Sequence, residues 1–156
     1  MVRTMGVIQS TIDIRAALDK VFELAIKVED FPEFMPDVKK VEVRERRPDG
    51  YSRSYWEALA SIQNIQKTVR WEEEEQWDYQ DHTCKFAQTH GDYKHYHGSW
   101  KFIPHGDATK VELNVDYDLG LPLIGAIINK LLDKLMKDNC DAMLKGLKAK
   151  AEGKVS

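Results

Sequence analysis

The stretch PLIGAIINKLLDKLMKDNCDAMLKGLKAK, residues 122–150, reads as one long helix and decides how the rest of the chain must be arranged. Pro122 suits a first helical turn, where a missing N–H costs nothing. Apolar pairs follow: Leu123-Ile124, Ile127-Ile128, Leu131-Leu132, Leu135-Met136, then Met143-Leu144 and Leu147. Asp133, Lys137, Asp141 and Lys145 form an i,i+4 ladder of alternating sign, which predicts a solvated face. Lys145, Lys148 and Lys150 stand where the helix dipole favours cations. Such a helix is roughly 40 Å long, so something broad must cover its apolar side. The pairs recur every four residues while the helix turns every 3.6, so the stripe drifts by about 40° per repeat. Either the helix bends or its halves bury against different neighbours; it is then a core helix on a strongly twisted sheet, or one half closes over a cavity.

Working outward, the chain supplies strands to cover it. Val7 to Ile14 alternates, with Ile8, Ser10, Ile12 and Ile14 on one face, and predicts a half-buried strand. A helix is expected from near Asp13 or Arg15 to about Val28, with Leu18, Val21, Phe22, Ala25 and Ile26 at helical spacing. Glu29 to Phe34 reads as a second, short helix or turn, because Pro32 fits only a first turn; Phe31, Phe34 and Met35 are its anchors. Strands then follow over Val38–Arg47, Tyr51–Ala60, Ile65–Asp78, Thr83–Thr89, Tyr93–Pro104 and Thr109–Leu119. The links are short turns such as Pro48-Asp49-Gly50, which mean antiparallel pairing. The expectation is an α+β chain: a curved, antiparallel, seven-stranded sheet around a long C-terminal helix, with two short helices after the first strand.

Composition narrows the function classes. At 156 residues with net charge −3, one domain spanning 1–156 is expected, and no basic block points to nucleic acid. No apolar run is long enough to span a membrane. The N-terminal residues lack a signal-peptide core. Cys84 and Cys140 make no metal spacing, which fits a reduced, cytoplasmic protein. No P-loop, dinucleotide-binding glycines or nucleophile elbow occurs, and no cofactor is expected.

Four segments carry a family resemblance: Val21-Phe22-Glu23-Leu24 leading to Asp30-Phe31-Pro32-Glu33-Phe34-Met35-Pro36, then Gly98-Ser99-Trp100-Lys101-Phe102-Ile103-Pro104, then Thr109-Lys110-Val111-Glu112-Leu113. With them the chain resembles the START-like helix-grip superfamily (SRPBCC), in its polyketide cyclase/dehydrase and coenzyme-Q-binding-protein branch. That superfamily holds lipid carriers, hormone receptors, allergens, ring-hydroxylase subunits and cyclases. The resemblance implies a tunnel for a hydrophobic ligand between the long helix and the sheet.

Two constellations bear on that tunnel. The first is Trp71-Glu72-Glu73-Glu74-Glu75-Gln76-Trp77. Side chains alternate faces along a strand, so Glu73 and Glu75 share a side with Trp71 and Trp77. They either reach water at an open end, are flipped out by a bulge, or are buried acids. Buried acids need partners, for which Arg53, Arg70, His95 and His97 are candidates. The second is a set of aromatics on apparent inner faces: Trp56, Trp71, Phe86, Tyr96, Trp100, Phe102 and Tyr117. Ala58, Ala60, Ala87 and Gly98 interleave with them. Large rims and small floors make room, as in ligand pockets.

The expected ligand lining is therefore Trp56, Ala58, Trp71, Glu73, Phe86, Tyr96, Trp100, Phe102 and Tyr117 from the sheet, with Leu132, Met136, Asn139 and Met143 from the helix. His95 and His97 share a strand face, as metal ligands can. No cysteine or carboxylate has matching spacing, so no metal site is expected. The function read from this pattern is binding or carrying a lipid, isoprenoid quinone or polycyclic aromatic, by a monomer or weak homodimer with at most transient membrane contact. The alternatives are a polyketide aromatase/cyclase, with Glu73, Arg53, Tyr96 and His97 as candidate catalytic groups, and an interaction module using an exposed Leu123, Ile124 and Ile127.

Overall fold

A computed structural model describes the backbone of residues 3–62, 65–122 and 126–154, and the side chains of these except 3–5, 62, 65, 120–122 and 126–129. Seven strands, β1 Arg3–Ile14, β2 Val38–Arg46, β3 Tyr51–Ile62, β4 Ile65–Asp78, β5 Thr83–Gly91, β6 His95–His105 and β7 Ala108–Pro122, form one antiparallel sheet. The strand order is β1-β7-β6-β5-β4-β3-β2, so only the link from β1 leaves the meander. That link carries α1, Leu18–Ile26, and a 3-10 turn, Val28–Glu33; α2, Ala126–Ala151, closes the chain. This is the helix-grip arrangement.

Several boundaries depart from expectation, two of them with a clear physical reason. Pro122 does not open the helix: it ends β7, paired with Arg3, and α2 begins four residues later. A strand terminus tolerates a residue without an N–H as well as a first helical turn does. The first helix likewise starts at Leu18 rather than near Asp13 or Arg15. Asp13 and Ile14 still belong to β1, in register with Lys110 and Thr109. The turn between β2 and β3 follows its sequence: Gly50 takes φ +94°, and Asp49 accepts the Tyr51 N–H at 3.0 Å.

The halves of α2 do meet different neighbours. In the C-terminal half Leu144, Leu147 and Ala151 are buried, and Gly146 lies against the carbonyl of Phe34, where an added Cβ would come within 2.2 Å of the oxygen. Phe31, Phe34 and Met35 are all buried, as their pattern predicts. The charged ladder is not merely solvated. Asp133 accepts the Tyr117 hydroxyl at 2.6 Å, and Asp141 takes the Ser10 hydroxyl while pairing with Lys137 at 2.6 Å. These bonds fix α2 against β7 and β1. Lys148, near the helix C-terminus, bonds the Asp13 carbonyl at 2.9 Å and Glu152 at 2.6 Å. Leu123, Ile124 and Ile127, on which the exposed-stripe expectation rests, lie outside the described side chains.

Candidate functional site

On the inner face β3 and β4 stack in register as successive layers: Ala60 with Lys67, Ala58 with Val69, Trp56 with Trp71, Ser54 with Glu73, and Ser52 with Glu75. Small side chains in the first two layers leave the sheet short of the helix. There a cavity of about 280 Å³ lies between Ala58, Ala60 and Val69 on the sheet and Leu132, Leu135, Met136 and Asn139 on α2. Leu119 and Tyr93 add apolar wall, while Lys67, Asp92 and Asn139 supply polar groups. A mostly apolar enclosure with a few polar tips is the usual form of a small-molecule pocket.

The third layer lies next along the strands, between this cavity and the two glutamates. Trp56 and Trp71 stack at 5.6 Å and 13° between planes, Tyr93 meets the Trp71 ring at 5.7 Å, and Tyr96 stacks on Tyr93 at 4.6 Å. Behind this aromatic wall is a void of about 20 Å³, room for about one water. Trp56, Glu73, Phe86, Tyr96, Trp100 and Met143 are among the side chains around it.

Glu73 and Glu75 are both buried there, 5 % and 2 % exposed, so neither the open-end nor the flipped-out alternative holds. A bulge does occur beside Glu73, but it lies in the pairing with β5, while the β3–β4 register runs unbroken. The candidate cations are elsewhere. Arg53 pairs with Glu72 on the outer face, Arg70 reaches Glu57 at 4.0 Å, and His95 and His97 face Asp116. The four consecutive glutamates thus split by parity, and among the described residues the outer pair meets cations and a phenol, Glu74 accepting the Tyr51 hydroxyl at 3.0 Å. Neutral donors serve the inner pair. Glu75 accepts the Ser52 hydroxyl at 2.7 Å and the Ser54 hydroxyl, and Ser54 in turn accepts the Trp56 indole N–H at 2.7 Å. Glu73 accepts the Trp71 indole N–H at 2.8 Å.

Among the described residues no Lys, Arg or His forms an ion pair with either inner glutamate. Burial, then the charge of Glu75, then a hydrogen bond to Glu75 push the Glu73 carboxyl well above the usual carboxylate range; the Trp71 N–H works the other way. That direction favours the protonated form of Glu73, whose side chain hydrogen-bonds to Glu75. Burial and the same two carboxyls push the Cys84 thiol up, which makes it inert as a nucleophile.

The remaining lining expected from the sequence divides as follows. Ala58, Leu132, Met136 and Asn139 surround the large cavity. Phe102 packs on Phe22 at 5.3 Å and Trp100 at 6.1 Å, in the core under α1. Tyr117 is spent on Asp133. Ala87 is exposed on the outer face and makes no inner floor. Val69, Leu119 and Tyr93 went unsuspected as lining. Val69 shares parity with Trp71 and Leu119 with Tyr117, so alternation alone could have found those two. Tyr93 reaches the cavity from the link between β5 and β6, where no period applies.

Fold and site together define a helix-grip protein with an inner cavity between the sheet and α2. The chain belongs to the family described as polyketide cyclase / dehydrase and lipid transport, whose match spans residues 14–144. Among solved structures it is similar to TTHA0849 from Thermus thermophilus, at 34 % identity and a TM-score of 0.87, over 97 % of this chain and 100 % of that one. Its fold is also that of the Zhui aromatase/cyclase from Streptomyces sp. R1128, at 19 % identity and a TM-score of 0.82, over 97 % and 96 % of the two chains. A START superfamily protein from Mycobacterium smegmatis shares it at 17 % identity and a TM-score of 0.78, over 94 % and 97 %. No curated protein matches the chain. Among the described residues no helix is long and apolar enough to cross a membrane.

Proposed function

We propose that this chain binds a hydrophobic small molecule in the 280 Å³ cavity between β3–β4 and the first half of α2, as a binding or carrier protein. The cavity itself, with its apolar lining and small floor at Ala58 and Ala60, is the observation that supports this. Lys67, Asp92 and Asn139 would orient one polar group of the ligand at its margin. A lipid chain, an isoprenoid quinone or a polycyclic aromatic has the required chemistry. The test is displacement: a lipophilic fluorescent probe should bind at one equivalent and be released by one of these three classes in preference to the others. A protein that binds none of them would refute the reading.

Family membership and the buried acid pair favour a second reading, polyketide aromatase/cyclase. A protonated Glu73 could act as a general acid only within hydrogen-bond reach of the reacting group. Val69 borders the cavity and Glu73 lies four residues further along β4, roughly 13 Å at strand rise, with the Trp56–Trp71 layer between. The carrier reading needs no opening of that layer, which is why it is preferred. Under the enzyme reading, Glu73→Gln would abolish turnover of a poly-β-keto substrate while leaving its binding intact.

A further inference from the structure

We propose that His95, His97 and Asp116 form a binding site for a divalent transition-metal ion on the outer face of the sheet, independent of the inner cavity. Linear spacing hides it. His95 and His97 stand two apart on β6, and the carboxylate comes from the adjacent strand, where Asp116 is the register partner of His97. The two rings lie face to face at 5.4 Å. His95 Nε2 is 2.9 Å from one Asp116 oxygen and His97 Nε2 is 3.7 Å from the other. The donor atoms of all three residues lie within 4.8 Å of one another.

Those separations match what an ion requires. With Zn–N and Zn–O bonds of about 2.0–2.2 Å, donors around a tetrahedral centre stand roughly 3.3–3.6 Å apart. The two nitrogen–oxygen distances, one to each carboxylate oxygen, bracket that value, so side-chain torsions alone can bring the three donors onto one ion. The backbone beneath is already ordered, because β6 and β7 are both interior strands of the sheet. Without an ion, two imidazoles converge on one carboxylate in a surface cluster of a kind that contributes little to stability. With an ion, all three lone pairs point at one positive charge.

The donor set also selects the metal. Two imidazoles and one carboxylate suit Zn²⁺, Ni²⁺ or Cu²⁺, whereas Ca²⁺ and Mg²⁺ prefer all-oxygen shells. Three protein ligands leave a position open. It faces water, since the His95, His97 and Asp116 side chains are 38 %, 54 % and 39 % exposed. An open fourth position is the mark of a site that exchanges a ligand rather than a closed structural one.

The experiment uses the full chain, stripped with chelator, and Zn²⁺ alone as probe. Isothermal titration should show one saturable equivalent. His95→Gln, His97→Gln and Asp116→Asn should each weaken it by at least roughly tenfold, with unchanged far-UV circular dichroism in the absence of metal. Acidic buffer should weaken it too, because imidazole must be neutral to bind metal. With Cu²⁺, electron paramagnetic resonance should show hyperfine coupling to two imidazole nitrogens in the parent and one in either histidine variant. His90→Gln and His105→Gln should change nothing. No saturable Zn²⁺ binding would overturn the proposal, as would binding that survives His97→Gln or is lost instead with His90 or His105.

Discussion

Replacing Ala58 by tryptophan tests whether the space beside it is a ligand cavity or a loosely drawn core. Ala58 sits on the inner face between Val38 and Val69 in neighbouring strands, at the edge of the 280 Å³ cavity. An indole there enters the cavity and buries against Leu132 and Met136. Full burial of a large apolar side chain stabilises by about 1.5–3 kcal/mol, from which some rotamer restriction must be subtracted. The expected change is from about zero to a gain of roughly 2 kcal/mol. Were the face close-packed instead, overpacking would cost about 1–3 kcal/mol. For a chain of this size each kcal/mol moves the melting temperature by roughly 2–4 °C. Differential scanning calorimetry should therefore find Ala58→Trp unchanged or raised by several degrees, and titration should find it unable to take up a lipophilic probe that the parent binds. A clear fall in melting temperature, with no probe bound by the parent, would show that no binding cavity exists.

Three further outcomes follow from the packing and the acid pair. The folded-state pKa of Glu73 lies above its unfolded value, so its penalty on folding is absent below the ordinary carboxylate pKa and grows as pH rises towards the folded value. Glu73→Gln keeps an acceptor for Trp71 and a donor for Glu75, so it should match the parent in acid and exceed it in melting temperature increasingly towards neutral and alkaline pH; parallel curves would refute this. Gly146→Ala forces a Cβ to within 2.2 Å of the Phe34 carbonyl oxygen and should cost about 1–3 kcal/mol in urea denaturation. Tyr117→Phe removes the hydrogen bond to Asp133 and should cost about 1 kcal/mol, read by the same urea series.

The fold was legible because its signals are periodic. Alternation in Val111, Leu113, Val115 and Tyr117 and the long apolar stripe of α2 leave little choice but a sheet around a helix; parity put Glu73 and Glu75 on one side with Trp71 and Trp77 but left open whether they are buried. What period cannot carry is partnership across strands. Arg53 is near Glu73 in the chain's register, yet it points to the opposite face and meets Glu72. Asp116 joins His95 and His97 only through the β6–β7 register. Pro122 misled because proline is equally at home in a first helical turn and at a strand end. Nor does parity give depth: Trp56 and Ala58 share a face, and only the layered packing separates the wall from the floor.

The proposed function requires that the inner cavity hold a hydrophobic molecule. Native mass spectrometry of the chain purified without detergent, then incubated with fatty acid, isoprenoid quinone and polycyclic aromatic, addresses it most directly. A single discrete adduct at one-to-one stoichiometry, either carried through purification or acquired from that set, is expected for the parent, and none for Ala58→Trp. A parent protein found only at its bare mass before and after incubation would contradict the proposed function.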